Sequence, residues 1–292
     1  SFQRRIYLYY SLFIISIILV VTAIFYIYMS NLLLSNVSKE MQQILDKIST
    51  NLDYQVKEAD TVLTQVLFNK QVQESMTQAS LYGMSNINFF NINFESAKNL
   101  RDALTGINSP KITARRLSVF NESGSYVSVG KVPVTSSGCG ETIDMIKRYM
   151  VNDKQLLIIP PHNDPWMAEE EQLTVLSYIR YFRATINYNN NHVGYIEVQQ
   201  PYSSIENICS TGYKSDMKIL ILSDGGDVIY PIDRYGPDVT NHYLSLKNSR
   251  GDIHLRPWDK TEELVYGSVA TYSGWNIILA QPKKIYMSPV SF

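Results

Sequence analysis

Residues 217–231 read MKILILSDGGDVIYP. Two apolar runs flank Asp-Gly-Gly, and glycine supplies the positive φ that a tight hairpin turn demands. This is the strongest local signal in the chain, and it begins a sheet. Downstream, ELVYGSVA (263–270) and WNIILAQP (275–282) read as two further strands around the turn TYSG. Between them, residues 235–262 are polar and irregular and read as a loop-rich insert.

A second set of strands lies upstream. RRLSVFNESGSYVSVGK (115–131) is a hairpin about Glu-Ser-Gly. ETIDMIKRYMV (141–151) reads as a short helix, and LLIIPP (156–161) as a strand stopped by two prolines. QLTVLSYIRYFRATINY (172–188) and HVGYIEVQQ (192–200) are two more strands on either side of an Asn run. SSIENICSTGY (203–213) joins the two sets as a short helix or linker. The fold class expected is therefore α+β, with two stacked antiparallel-sheet, PAS-like subdomains.

Before the sheets comes helix. From residue 33 to 76 there is neither proline nor glycine. Apolar residues recur at Leu33, Val37, Met41, Ile44, Ile48, Leu52, Ala59, Val62, Val66 and Met76, the stripe of an amphipathic helix. Such a helix rises on the order of 60 Å at about 1.5 Å per residue. Its stripe can pack on its own sheets, form a dimer seam, or do both along different parts. NINFFNINFESAKNLRDAL (86–104) then enters a second helix that ends near Gly106.

Residues 6–29, IYLYYSLFIISIILVVTAIFYIYM, carry no charge and exceed the roughly 20 residues needed to cross a bilayer. Tyrosines stand at both ends, as in interfacial belts. Arg4 and Arg5 precede the span and the next basic residue is Lys39, which places the N-terminus in the cytoplasm. The stretch is too long for a signal peptide and has no small-residue cleavage pattern, so an uncleaved anchor is expected. The bulk of the chain is then extracytoplasmic, on a cell membrane.

The 292 residues are 45% hydrophobic and 18% charged, with a net charge of −1. That balance argues against disorder and against a nucleic-acid partner. Arg4 and Arg5 set aside, 24 basic residues face 27 acidic ones, a mildly acidic exterior at −3. Cys139 and Cys209 are too few for a disulfide scaffold, although one bridge is possible in an oxidising exterior. The division expected is a cytoplasmic N-terminus at 1–5, a membrane helix at 6–29, a stalk helix at 30–80 and a distal subdomain at 81–202. A linker helix at 203–215, a proximal subdomain at 216–286 and the approach to a second span at 287–292 complete it. The chain opens on Ser1 and stops at Phe292 soon after a strand, so a piece of a longer polypeptide is expected.

This order of elements resembles the double Cache (dCache) sensor region of bacterial transmembrane receptors. The resemblance rests on LSVFNESGSYVSVG (117–130), GYIEVQQPYSSIENI (194–208), KILILSDGGDVIYP (218–231) and SGWNIILAQP (273–282). VLSYIRYF followed by HVGYIEVQQ is most similar to sensor histidine kinases of Gram-positive bacteria that respond to sugars and other nutrients. It implies a small-molecule site on the membrane-distal sheet, a homodimer through the stalk helix, and output through a two-component system. Some amino-acid-sensing members carry Arg-x-Trp-Tyr before the distal helix and an Asp on a later strand. Here SSGCGETIDMIKRYM (136–150) lacks that motif and the strand position is Gln199, which argues against an α-amino acid.

The segment PPHNDPWMAEEEQ (160–172) offers the chemistry of recognition. A sugar needs a flat aromatic surface and fixed polar groups beside it. His162, Asp164 and Trp166 lie on this proline-braced loop, near Tyr178 and Arg180 of the following strand. Glu197 and Gln199 share one strand face because side chains alternate. Phe120 and Tyr126 can line the same cavity. These nine residues are the candidate ligand-binding set. Each also has a plain structural role: Trp166 as a core cap, Asp164 as an Asx-turn residue before Pro165, Arg180 as a partner for an acid.

No catalytic, metal or cofactor set is expected. His162, His192, His242 and His254 are scattered, and His162 with Glu169, Glu170 and Glu171 lacks a second nearby histidine. No nucleophile elbow or paired Cys motif occurs. Two alternatives stay open: an anchored module that binds a protein or cell-wall component, and an anchored hydrolase.

Overall fold

The computed structural model describes residues 2–82, 88–108, 114–130, 138–150, 155–168, 173–183, 192–210, 217–232 and 234–287. The acidic run 169–171, the Asn run 187–191, much of the linker after 210 and the approach at 288–292 lie outside the described residues.

Helix α1 (Phe2–Leu67) runs unbroken from the apolar N-terminus into the stalk. Its first part is long and apolar enough to cross a membrane, and its large apolar side chains there are exposed. From Val37 onward the stripe is buried: Met41, Leu45, Ile48, Leu52, Val56, Ala59, Val62, Leu63 and Val66 pack on the two sheets. The amphipathic stripe therefore serves the chain's own core, and the outward face of the stalk is largely polar. The stalk helix expected to reach residue 80 is interrupted after Leu67. Asn69 turns the chain and caps α2 (Lys70–Leu81), its side chain accepting from Gln71 N and Val72 N at 3.0 and 3.2 Å.

The Asn-rich stretch is a series of helix caps. Asn88 caps α3 (Phe89–Ile92) and Asn93 caps α4 (Phe94–Ile107), each by accepting a first-turn N–H.

The distal unit follows: β1 (Arg116–Phe120), β2 (Tyr126–Gly130), α5 (Gly138–Tyr149), β3 (Leu157–Asn163), β4 (Thr174–Arg183) and β5 (His192–Pro201). The strands form one antiparallel sheet in the order β2-β1-β5-β4-β3. α5 covers one face, while α1, α2 and α4 cover the other. Pro160 and Pro161 do not end β3. They sit inside it, where the pairing with β4 slips between Ile159 and His162. β3 is an edge strand, so one missing N–H falls on its open side, and the bulge takes up the other.

After α6 (Ser203–Ser210) come β6 (Lys218–Leu222), β7 (Val228–Tyr230), α7 (Pro237–Ser245), β8 (Arg250–Leu255), β9 (Glu262–Val269) and β10 (Asn276–Pro282). Their order, β7-β6-β10-β9-β8, repeats the distal circuit strand for strand. The hairpin at Asp-Gly-Gly joins β6 and β7 as the turn chemistry predicts, with Gly226 at φ 91°. The stretch 235–262 is not a loop-rich insert: it holds α7, opened by a proline in its first turn, and the edge strand β8. α8 (Lys283–Met287) ends the described chain beside α1.

Candidate functional site

Alternation along three neighbouring strands decides what each sheet face carries. On β1, Leu117 and Val119 point to the stalk, and Arg116, Ser118 and Phe120 point to the other face. On β5, Ile196 and Val198 face the stalk, and Tyr195, Glu197 and Gln199 face away. On β4, Leu176, Tyr178 and Phe182 face the stalk, and Ser177 and Ile179 face away. Arg116 sits opposite Gln199, and Ser118 opposite Glu197.

The β3–β4 loop folds over this second face. Asp164 accepts from the backbone N–H of Trp166 at 3.1 Å, the Asx turn that Asp-Pro favours. That turn drives the Trp166 ring under α5. Gly138 opens α5 against it, and a Cβ there would lie 2.6 Å from the Trp166 Cα. The indole meets Phe120 and Tyr126 edge to face at centroid distances of 5.7 and 5.3 Å.

Polar groups fill the space beside these rings. Trp166 Nε1 donates to Glu197 Oε2 at 2.8 Å, and Ser177 Oγ donates to Glu197 Oε1 at 2.6 Å. Gln199 Nε2 donates to Asp164 Oδ1 and to Glu197 Oε1, both at 3.2 Å. Arg116 Nε donates to Gln199 Oε1 at 3.2 Å, and its Nη2 reaches Asp164 Oδ2 at 3.5 Å. Arg115 stands 3.6 Å from the same carboxylate. Arg116, Asp164, Trp166, Ser177, Glu197 and Gln199 are all buried. Two donors are left over: Arg115 Nε and Arg116 Nη1 are buried with no hydrogen-bond partner among the described residues.

Burial governs the electrostatics. It pushes the Glu197 carboxyl up to about 7; Asp164 adds to this, while the Ser177, Trp166 and Arg116 contacts oppose it. Burial lowers His162, against the opposing pull of the Pro160 carbonyl and Asp164. His162 Nδ1 lies 2.7 Å from that carbonyl, which can only accept, so Nδ1 carries the proton. His162 Nε2 then faces Ser177 Oγ at 3.3 Å. The Ser177 proton points at a carboxylate and its oxygen is buried. A nucleophilic serine needs its proton taken by the histidine and its oxygen open to substrate. The trio is arranged as a buried hydrogen-bond network, His162 to Ser177 to Glu197.

Seven of the nine candidate residues meet here: Phe120, Tyr126, His162, Asp164, Trp166, Glu197 and Gln199. Tyr178 and Arg180 do not. Both lie on even-numbered β4 positions, which face the stalk. Tyr178 is buried in the stalk-side core. Arg180 grips Asp60 of α1 with Nε and Nη2 at 2.6 and 2.9 Å. Arg116 and Ser177 are members of the cluster that sequence reading missed. Both were reachable by parity: Arg116 is four residues before Phe120 on one strand face, and Ser177 alternates with the apolar Leu176 and Tyr178.

Both cysteines are buried and free. Cys139 lies in the α5 core and Cys209 in the stalk-side core, and burial raises each thiol to about 12. Among the described residues no three His, Cys, Asp or Glu side chains are grouped to hold a metal ion.

No family model matches the sequence, and no curated protein matches it. Solved structures do. The ligand-binding domain of the Campylobacter jejuni chemoreceptor Tlp3, in complex with 4-methylisoleucine, matches with a TM-score of 0.57 at 11% identity, over 89% of this chain and 96% of that one. The ligand-binding domain of the Pseudomonas fluorescens chemoreceptor CtaA, in complex with L-isoleucine, gives 0.55 at 14% identity over 88% and 95%. The same domain with L-serine gives 0.53 at 11% over 86% and 99%. At such identities the likeness shows the fold. The chain has the α+β architecture of Cache sensory domains, a long apolar N-terminal helix followed by two antiparallel sheets.

Proposed function

We propose that this chain is the extracytoplasmic ligand-sensing region of a membrane receptor, and that its ligand is a polar small molecule taken on the α5 face of the distal sheet. The observation that carries this reading is Arg116. A guanidinium nitrogen buried without a partner costs on the order of 1–3 kcal/mol or more. A ligand acceptor at Nη1 would remove that cost. Glu197 and Asp164 offer further polar contacts, and Trp166 and Tyr126 an aromatic wall. This mixture suits a sugar or related nutrient. Arg115, Arg116, Ser177 and Tyr195 join the seven clustered candidates as the residues proposed to shape the site.

A second reading is an amino acid. It is favoured by the bound ligands of the chemoreceptor domains that share the fold, and by an Arg116–Asp164 pair that complements a carboxylate and an ammonium group. The absent Arg-x-Trp-Tyr motif speaks against it. The full chain in detergent micelles, melted against a panel of monosaccharides, disaccharides and L-amino acids, separates the two. A rise in melting temperature with sugars alone supports the first reading, and with amino acids alone the second. No rise with any compound overturns both.

The output we propose is a sensor histidine kinase in a two-component system, with the chain acting as a homodimer. The apolar stalk stripe is already used by the sheets, so pairing would run along the outward face of α1. There Tyr54 is 68% exposed and lines a groove with Lys57, Thr61 and Gln65. Thr61→Cys should then cross-link between copies in native membranes. Its failure to do so would remove this seam.

A further inference from the structure

The stalk carries two acids that the ligand site does not use. Asp53 and Asp60 are seven residues apart on α1, two helical turns, and so share one face. Asp53 receives the backbone N–H groups of Thr271, Tyr272 and Ser273 at 2.8, 3.1 and 3.0 Å, and the Ser273 hydroxyl at 3.2 Å. Those residues form the turn between β9 and β10 of the proximal sheet. Asp60 receives Arg180 from the distal sheet at 2.6 and 2.9 Å. It also receives the Tyr272 hydroxyl at 2.5 Å. Tyr272 thus touches both acids, one through its backbone and one through its side chain.

We infer that Asp60 is a shared latch that makes strand β4, the stalk and the β9–β10 turn shift as one body. The geometry gives three reasons. The Arg180 contact is bidentate, so it fixes direction as well as distance. Arg180 lies three residues from Ser177 on β4, on the opposite face, and Ser177 donates to Glu197 of the neighbouring strand β5. A β-strand is stiff along its length, so a displacement at Ser177 arrives at Asp60 with little loss. Finally, both acids stand on the helix that continues unbroken toward residue 6. The Asp60 carboxyl behaves as a latched group should. Burial pushes its pKa up, but the hydrogen bonds from Arg180 and Tyr272 and the Arg180 charge outweigh it and hold the carboxyl below its usual range. The use of this latch for signalling rests on the ligand-sensing reading; its mechanical coupling does not.

The test therefore needs no ligand. Amide hydrogen exchange is measured on the full chain in micelles, for wild type, Arg180→Lys and Tyr272→Phe. Both substitutions are mild, retaining the charge or the ring. Coupling is reciprocal. Arg180→Lys, made in the distal sheet, should speed exchange in residues 270–276 of the proximal sheet by about tenfold, and Tyr272→Phe should do the same in residues 176–182. Acceleration confined to the mutated sheet, with the other unchanged, overturns the latch. That outcome leaves the ligand site standing, and a failed ligand screen leaves the latch standing.

Discussion

The two sheets share one circuit and differ in what their covered faces hold. Distal β1 presents Arg116, Ser118 and Phe120, paired with Gln199, Glu197 and Tyr195 of β5. The matching proximal strand β6 presents Lys218, Leu220 and Leu222, paired with Ala280, Ile278 and Asn276 of β10. Each strand opens on a cation. Beyond it the distal face sets the buried polar Ser118, Ser177, Glu197 and Gln199 beside the apolar Phe120, Trp166 and Ile179, while the proximal face is an apolar core of Leu220, Leu222, Tyr243, Val265, Ile278 and Ala280. Among the described residues the proximal sheet has one buried acid, Glu263, and satisfies it with Lys218 at 3.1 Å, Tyr243 at 2.7 Å and Arg256 at 3.1 Å. One backbone plan thus carries either a packed core or a polar interior, according to the residues at alternate positions of two strands. A polar interior is costly, and the distal sheet retains it where the fold does not require it.

The comparison can be broken most severely at Ile278. Ile278→Glu places a carboxyl where Glu197 sits in the distal sheet, without the Ser177, Trp166 and Gln199 donors. A cost on the order of 4 kcal/mol or more is expected, seen as loss of the cooperative melt of the proximal unit by circular dichroism. Next comes Trp166→Ala, which empties the wall under α5. About 3–5 kcal/mol should be lost in urea unfolding of the full chain.

Glu197→Gln sharpens the contrast through pH. The folded-state pKa of Glu197 is raised from 4.5 to about 7, so the protonated form is favoured on folding. Its contribution is fully present below about pH 4.5 and is lost as pH rises through 7. Wild type should therefore lose about 3 kcal/mol between pH 4.5 and pH 8 relative to Glu197→Gln, which keeps a neutral side chain throughout. Parallel pH profiles in urea titrations would contradict the buried-carboxyl account.

Local chemistry was the legible part of the sequence. The Asp-Gly-Gly turn and the stalk stripe follow from contacts within a few residues of chain. Asp164 was readable as an Asx-turn residue for the same reason, and the Glu197–Gln199 face followed from alternation. What depended on the third dimension was less accessible. Pro160 and Pro161 end a strand only if it is central, and β3 is an edge. Tyr178 and Arg180 are close to the loop by sequence distance, but parity places them opposite Ser177, on the side α1 covers. The alternation of Leu176, Tyr178 and Phe182 carried that information. Arg116 looked like one member of a basic pair, and nothing local marks it as the buried member. α7 has its proline in the first helical turn but few apolar residues, so its helix is fixed by Tyr243 packing on the sheet rather than by its pattern.

The central claim is that the distal face binds and its proximal counterpart does not. The most direct measurement compares Arg116→Met with Lys218→Met, two equivalent first-strand cations, in the same melting screen against sugars and amino acids. The account predicts that a stabilising compound acts on wild type and Lys218→Met and loses its effect on Arg116→Met. An effect that survives in Arg116→Met and disappears in Lys218→Met would contradict it.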